Sequence, residues 1–591
     1  MEPLAMPFAS RASTCWWWLQ VVLGTFAARD ARDRPNLIML FVDDLGYGDT
    51  GFTGHPTAST PNIDALAFNG KVLTTWYSGC AVCSGSRAAL MTGRQYARIG
   101  VPGVYGPTVN AGLPLNETTL AEQAKKANYS TAIMGKWHLG QRARYLPGNR
   151  GFDFYLGIPY SDDMGEARAS KCDGGNEGVR SRRLDNEAAW ARQQYEESGY
   201  VDEAVEDVDD PAANFLPLVY QEYNQTKVLE QPLDFTTLAE KYNDYVLRYI
   251  DSHKDEPFLL YMPFSHVHAT AANQPEKQYA GCRFKNSTRR GKFGDALAEA
   301  DWIIGNVLRK VREAGIEENT LFLFTGDNGP WMIQGLSGGS HGLLTGRYSG
   351  YWNTGKGSTW EGGIREPAFA YWKGQIEPFT RSAEVVSSMD VFPTFSALAG
   401  VPLPKDVVYD GRDMSDVLFR RDGKSKHDFL FHYGGCSLNG NPATVRHGPW
   451  KAHWCTGPGL GGCSNCSTRF YNDDAPLLFN VEVDPSESKP ADTSDAEAAM
   501  ALKRIVGALA MEKATFIHQM STPLPDGPGE GPGLYGVCCD RSKGCDCDGA
   551  PSAQSPGLLG VGSRSHHDRY HSVVGSAPPL PPTVAQAELT V

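Results

Sequence analysis

Polar residues with the chemistry of metal ligands follow two apolar runs of the sequence. The runs "PNLIMLFVDD" and "NTLFLFTGDNG" end in Asp43 and Asp44, and in Asp327 and Asn328. Three carboxylates and an amide offer hard oxygen ligands, which suit Ca²⁺ or Mg²⁺ better than zinc. Each acidic group alone could instead cap a helix or a turn. The shared position and the flanks "DDLGYGD" and "GDNGP" favour one common metal site.

Basic side chains accumulate around the same runs. A metal ion with several cations in one pocket suits an anionic tetrahedral ester, whose oxygens must be held while charge moves onto the leaving oxygen. Lys136 and His138 are predicted to share a face of an extended segment, as are His266 and His268, because strand side chains alternate. The candidate cations are Arg87, Lys136, His138, His268 and Lys356.

A cysteine precedes one of these cations by four residues. Cys83 and Arg87 lie in "CSGSRAALMTGR", just ahead of a helical pattern. Taken alone, Cys83 could be a buried cysteine that packs like a small apolar side chain.

The elements that must position these residues follow from the periodicity. The apolar runs, joined by "STAIMGKWHLG" and "PFLLYMPFSHVH", are typical of buried parallel strands. Helical patterns lie between them, so an α/β fold with helices on both faces of the sheet is predicted. In such sheets ligands bind beyond the carboxyl ends of the strands, where the polar residues are found.

The chain divides into segments of different character. Residues 34–404 carry the α/β pattern, and residues 405–547 predict a smaller α+β domain with short antiparallel strands and a long helix over 495–520. Residues 165–232 form an irregular insertion with an acidic cluster, either a solvated insertion or a substrate-recognition lid. Residues 548–591 are rich in Pro, Gly, Ser and Ala and are predicted to be disordered.

The N-terminus and the cysteines predict export. Residues 1–28 combine Arg11, a short apolar run and a small-residue exit, which is typical of a signal peptide. No other run approaches the ~20 apolar residues of a membrane helix. Many of the thirteen cysteines lie in loops such as "CTGPGLGGCSNC" and "CCDRSKGCDC", which favours disulfides over a zinc cluster. The count leaves one free thiol, assigned to Cys80. Glycosylation sequons begin at Asn116, Asn128, Asn224, Asn286 and Asn465.

The formal net charge of −13 argues against a nucleic-acid partner, whose phosphates an acidic surface would repel. The expected destination is the secretory pathway, with a lysosomal or a secreted final location. A homo-oligomer is left open.

Eight motifs in order resemble the sulfatase family of the arylsulfatase A type, within the alkaline phosphatase superfamily. They are "PNLIMLFVDDLGYGD", "CSGSRAALMTGR", "GKWHLG", "GFDFYLGIPYSDDMG", "HVH", "FTGDNGP", "GKGSTWEGGIREPAFAYW" and "CCDRSKGCDC". The resemblance implies an alkaline phosphatase-like fold, a large mixed and mostly parallel sheet flanked by helices, with a four-stranded antiparallel sheet in the C-terminal domain. It implies cleavage of aryl sulfates, sulfated glycolipids or sulfated sugars.

The resemblance also implies a mechanism. A formylglycine-generating enzyme converts the cysteine at the position of Cys83 to formylglycine, whose hydrate attacks sulfur and forms a sulfo-enzyme intermediate. Asp327 would help to activate that hydroxyl. The metal, Ca²⁺ or in some relatives Mg²⁺, would be held by Asp43, Asp44, Cys83, Asp327 and Asn328. Arg87 and Lys136 would hold the formylglycine, His138 would assist the second deprotonation, and Ser161, Lys136, His268 and Lys356 would bind substrate. Either His268 or Lys356 would protonate the leaving oxygen.

One position departs from the family pattern. The family has proline two residues after the cysteine, whereas this chain has Gly85. Proline restrains the backbone that the modifying enzyme reads, and glycine removes that restraint. Two alternatives therefore stand beside an active sulfatase. One is a catalytically impaired binder of sulfated glycans. The other is a phosphoric-ester hydrolase on the same fold, whose relatives carry Thr or Ser as nucleophile.

Overall fold

A computed structural model of the chain describes residues 34–107, 109–168, 172, 215–223, 225–270, 278–436, 441–463 and 465–516. The predicted signal peptide (1–28), most of the acidic insertion, the "CCDRSKGCDC" cysteines and the tail (548–591) lie outside these residues. Among the described helices, none has both the length and the apolar character needed to cross a membrane.

A ten-stranded mixed sheet forms the centre of the fold, as predicted. Its strands in chain order are β1 Asn36–Val42, β2 Lys71–Leu73, β4 Ser130–Met134, β5 Phe154–Gly157, β6 Leu218–Glu222, β7 Gln225–Glu230, β8 Phe258–Pro263, β9 Thr320–Gly326, β11 Phe369–Tyr371 and β12 Thr380–Ser382. The spatial order is β12-β2-β11-β9-β1-β8-β4-β5-β6-β7. The five central strands β9, β1, β8, β4 and β5 are parallel, whereas β11 and β6 run antiparallel to their central neighbours.

Helices cover both faces of this sheet because its strands are apolar on both sides. In β1, Ile38 and Leu40 pack into one core cluster, whereas Leu37 and Met39 pack into the other. The helices are α1 Pro61–Phe68, α2 Cys83–Thr92, α3 Leu120–Lys125, α4 Phe235–His253, α5 Gly291–Glu313, α6 Glu361–Ile364, α7 Val391–Ala399, α8 Ser415–Phe419 and α9 Ala496–Thr515. Both faces are thus shielded from water, as a parallel sheet requires.

Smaller sheets flank the large one. The strands β3 Trp76–Tyr77, β10 Arg365–Glu366 and β13 Val386–Ser387 form a three-stranded sheet. The predicted four-stranded antiparallel sheet is confirmed and consists of β14 Leu430–His432, β15 Thr444–His447, β16 Trp450–His453 and β19 Leu477–Asn480. A short pair, β17 Cys455–Thr456 and β18 Arg469–Phe470, completes the strands. The boundary near residue 405 stays a prediction.

A buried ion-pair network joins the four-stranded sheet to the rest of the described fold. Lys451 of β16 lies 2.9 Å from Glu361 Oε1 and 3.1 Å from Glu487 Oε1, and all three side chains are fully buried. Glu361 also accepts from Tyr77, and Glu487 pairs with His453 at 2.7 Å. Such a network ties its elements together because the loss of one charge leaves its partners unpaired in the interior.

The irregular structure expected over residues 165–232 does not extend to the end of that segment. Residues 218–222 and 225–230 form β6 and β7 at the edge of the large sheet. Much of β7 is polar and exposed, since an edge strand faces solvent, so it lacks the apolar run that marks the buried strands.

The cysteine predictions are confirmed where the structure describes them. Disulfides join Cys172 to Cys282, Cys436 to Cys455 and Cys463 to Cys466. Among the described cysteines, Cys80 and Cys83 are free, and both are buried.

Candidate active site

The carboxyl ends of neighbouring parallel strands bring the candidate residues together. Val42 and Gly326, the last residues of β1 and β9, are paired in register, so Asp43–Asp44 and Asp327–Asn328 emerge side by side. The chain turns sharply after β1, where Asp44 has a φ of 53°. Its backbone N–H donates to Asp327 Oδ1 at 3.0 Å. The strand-end prediction for these four residues therefore describes their relative position correctly.

Two cations hold the carboxylate of Asp43. Asp43 Oδ2 lies 2.6 Å from Lys136 Nζ and 3.1 Å from Arg87 Nη2. Burial alone would raise the pKa of Asp43, but Lys136 and Arg87 outweigh burial and hold this pKa well below its usual range. Asp43 is therefore ionised at neutral pH.

Asp327 ionises less readily than Asp43. It pairs with Arg87 Nη2 at 2.9 Å, yet burial and the neighbouring Asp43 raise the pKa of Asp327 to about 7. Crowded carboxylates resist simultaneous ionisation. A divalent cation among these oxygens would remove the repulsion.

Cys83 is the first residue of α2 and points toward this acidic group. Its thiol donates to Asp43 Oδ1 at 3.7 Å, and only 2% of the residue is exposed. Arg87 lies one turn further along the same helix and also donates to the backbone carbonyl of Lys136 at 2.9 Å. The positive end of the helix favours negative charge at position 83.

Lys356 and His268 form the opposite side of the site. Lys356 Nζ lies 2.8 Å from Asp44 Oδ1 and 3.0 Å from His268 Nε2. It also lies 4.7 Å from the ring of Trp331, which packs against His268. Trp331 carries no sequence signal that distinguishes it from other aromatic residues, and only the fold reveals its position.

Lys136 and His138 reach the site from a loop, not from an extended segment. β4 ends at Met134, and Gly135 and His138 have φ values of 131° and 58°. Lys136 Nζ donates to Ser161 Oγ at 2.9 Å. His138 Nε2 lies 2.9 Å from the Tyr105 carbonyl, so this nitrogen carries the hydrogen and Nδ1 is left as an acceptor.

The two histidines of "HVH" do not share a face, because β8 ends at Pro263, before both of them. His266 pairs with Glu299 at 3.0 Å, whereas His268 turns toward Asp44 and Lys356. His266 is thus a buried histidine whose ring is paired with Glu299, and it lies outside the candidate active site.

The donor set fits a hard divalent cation. The ligand atoms of Asp43, Asp44, Cys83 and His268 lie within 4.8 Å of one another. Asp327, a predicted ligand, is not part of this group and pairs with Arg87. Asn328 Nδ2 donates to Asp44 Oδ1 at 2.8 Å, whereas its buried Oδ1 accepts no hydrogen bond from the described residues. Carboxylate oxygens with a free amide oxygen beside them are the ligands that Ca²⁺ or Mg²⁺ takes.

Asp162 and Asp163 are site residues that our sequence analysis missed. Asp162 Oδ1 lies 3.0 Å from His268 Nδ1, and the residue is fully buried. Asp163 follows it and is half-buried. The signal was present in "YSDDMG", where two carboxylates follow Ser161 directly.

Comparison with known proteins gives consistent matches. The sulfatase family model matches residues 35–401, and a model described as the C-terminal region of aryl-sulfatase matches residues 425–547. The chain is 37% identical to arylsulfatase G of Canis lupus familiaris over 78% of its length and 82% of the relative. It is 35% identical to arylsulfatase A of Homo sapiens over 87% of its length and 95% of the relative.

A solved structure matches as well. A sulfatase from Pseudoalteromonas sp. superposes with a TM-score of 0.66 at 26% identity, covering 82% of this chain and 92% of that chain. The matched family model spans more than half of the chain, and the match covers 82% and 95% of the two relatives. The chain therefore belongs to the sulfatase family and is a hydrolase of sulfate esters.

Proposed function

We propose that this sulfatase turns over through a formylglycine made from Cys83 by a formylglycine-generating enzyme. The observation that carries the proposal is the position of Cys83 at the start of α2, 3.7 Å from Asp43 and surrounded by paired cations. An unmodified thiol or serine could attack sulfur, but the resulting ester would have no built-in exit.

Asp43, Asp44, Asp327 and Asn328, with the modified residue 83, would hold a divalent cation, Ca²⁺ in our proposal and Mg²⁺ as the alternative. When bound, this cation favours the ionised form of a nearby hydroxyl and offsets the charge of the sulfate oxygens. Arg87 and Lys136 stay fixed by Asp43, so they can orient residue 83 without reorganising.

The covalent steps balance without an external oxidant or reductant. One hydroxyl of the hydrated aldehyde gives its proton to Asp327 and forms a bond to sulfur, and the bond between sulfur and the ester oxygen breaks. The ester oxygen leaves with a proton from Lys356 or His268, which lie 3.0 Å apart. The second hydroxyl then gives its proton to His138 Nδ1, and the bond between carbon and the sulfate oxygen breaks, so that sulfate departs with the electron pair and the aldehyde re-forms. Water then hydrates the aldehyde for the next turnover.

Ser161 and Lys136 would contact the sulfate from one side, and His268 and Lys356 from the other. Ser161 accepts from Lys136 at 2.9 Å, which keeps the ammonium of Lys136 directed into the site. These four side chains are almost completely buried, so they would hold the sulfate with little competition from bulk water.

The protein would mature in the secretory pathway and act in the lysosome or outside the cell. The described disulfides agree with an oxidising compartment. Sulfated glycolipids, sulfated sugars and aryl sulfates are all substrate classes that such a site would accept.

The test compares turnover of 4-nitrophenyl sulfate and 4-nitrophenyl phosphate by protein secreted from a eukaryotic host. We expect turnover of the sulfate to exceed that of the phosphate, to disappear in Cys83→Ala, and to persist in the control Asp251→Asn, an exposed helical position. A preference for the phosphate would favour a phosphoric-ester hydrolase. Binding of sulfated glycans without turnover would favour the impaired binder that Gly85 makes an alternative.

A further inference from the structure

The segment after β5 places two carboxylates beside the cations that would hold sulfate. β5 ends at Gly157, and Ser161, Asp162 and Asp163 follow in sequence. Ser161 accepts a hydrogen bond from Lys136 Nζ at 2.9 Å, and Asp162 Oδ1 lies 3.0 Å from His268 Nδ1. Asp162 therefore contacts His268, and Asp163 lies two residues after Ser161. Both His268 and Ser161 would bind substrate.

Each of these carboxylates keeps an oxygen atom without a donor. Asp43 and Asp327 are held by Arg87, and Asp44 by Lys356. By contrast, Asp162 Oδ2 and Asp163 Oδ1 accept no hydrogen bond from any part of the chain that the structure describes.

The groups that already surround the pair leave its open oxygens available to a donor. His268 Nδ1 already donates to the Ala269 carbonyl at 2.6 Å, so Asp162 shares that hydrogen at best. Burial raises the pKa of Asp163, but the charges of His268 and Lys136 outweigh burial and lower this pKa, so the carboxylate stays ionised. Asp163 accepts from the Ser161 hydroxyl, which leaves Asp163 Oδ1 and Asp162 Oδ2 as the open acceptor atoms. A buried acceptor atom without a donor is costly, and a ligand that supplies the donor is favoured.

We propose that Asp162 and Asp163 form an acceptor subsite for a hydroxyl or ammonium group on the carbon next to the sulfate ester. This inference rests on the proposed function and narrows its substrate class. Sugar sulfates with a neighbouring hydroxyl or amine supply such a donor, whereas steroid and simple aryl sulfates do not. A second anionic group at the same place is repelled by the ionised carboxylate of Asp163.

The test uses two substrates that differ in this donor alone. In 2-hydroxyphenyl sulfate a hydroxyl lies beside the ester, and in 2-methoxyphenyl sulfate a methyl group caps that oxygen while the leaving group stays similar. We expect wild-type kcat/KM to favour the hydroxyl compound by about tenfold or more, as a hydrogen bond to a charged acceptor provides.

Asparagine variants then assign the preference to these residues. In Asp163→Asn and Asp162→Asn the ratio should fall toward one, because the amide can also donate to the methoxy oxygen. Urea unfolding of each asparagine variant reports an intact fold, and Asp251→Asn, an exposed helical position outside the site, is the matched control in which the ratio stays at the wild-type value.

Two results would overturn the inference: a wild-type ratio near one, or a ratio that both asparagine variants leave unchanged. Failure of the proposed function looks different, since no aryl sulfate is then turned over by the wild type. In that case calorimetric binding of the same two sulfates reads the preference directly, and equal affinities overturn it.

Discussion

Replacing Gly85 by proline should destabilise this protein, although proline is the residue of the family pattern. A Cβ atom on Gly85 would lie 2.6 Å from Cys80 Sγ and 2.9 Å from Cys80 Cβ. The Gly85 N–H also donates to the Gly103 carbonyl at 3.0 Å, and proline has no N–H. The free thiol of Cys80 thus occupies the space that a proline ring would need.

The magnitude follows from these two contacts. The lost hydrogen bond costs about 1 kcal/mol, and the overpacking against Cys80 costs about 1–3 kcal/mol. The third residue of α2 lies in the first helical turn, where the proline ring itself is tolerated, so no larger backbone cost arises. Gly85→Pro should therefore lower the free energy of unfolding by about 2–4 kcal/mol.

A double-mutant cycle with Cys80→Ala measures the packing component. Removing the sulfur opens space for the ring, so the double variant should recover about 1 kcal/mol or more relative to additivity. The assay is urea unfolding of the secreted protein, with Cys80→Ala alone as the reference for the lost thiol. Additive effects, or a Gly85→Pro variant as stable as the wild type, would refute the packing account.

Three further outcomes are expected from other parts of the structure. Lys451→Met should cost about 3–5 kcal/mol in urea unfolding, because it leaves Glu361 and Glu487 buried without their cation. Burial and the charge of Lys451 lower the pKa of His432 to about 3, so His432 stays neutral in the fold while its unfolded form gains a proton below pH 6.5. Stability should accordingly fall by about 2 kcal/mol between pH 7 and pH 5, and His432→Phe, measured at both pH values, should lose less. A chelator should abolish turnover of 4-nitrophenyl sulfate, and restoration by Ca²⁺ but not Mg²⁺ would identify the ion, whereas full activity in the chelator would contradict the oxygen-ligand site.

The strand-end residues could be predicted because their signal is local. Asp43, Asp44, Asp327 and Asn328 each follow an apolar run, and parallel strands bring such ends together at one edge of a sheet. Lys136 and His138 do not share a face of an extended segment, as the alternation predicted, because β4 ends at Met134 before both of them. The positive φ of Gly135 ends the alternation immediately after β4.

Other features depend on contacts that no local pattern encodes. Lys451 and Glu361 are 90 residues apart, and their pairing depends on how the four-stranded sheet meets the rest of the fold. β7 was missed because an exposed edge strand needs no apolar run. The close packing of the Cys80 thiol against Gly85 could not be predicted from the sequence either, since only the turn before α2 brings the two residues together.

The most direct test of the proposed turnover is mass spectrometry of the tryptic peptide Val72–Arg87 from protein secreted by a eukaryotic host. This peptide carries both Cys80 and Cys83, so fragment ions must assign each position. The account predicts that residue 83 has exchanged the elements of H₂S for one oxygen, while Cys80 remains an alkylatable thiol. An unmodified thiol at Cys83, in a host that converts a control sulfatase, would contradict the formylglycine mechanism.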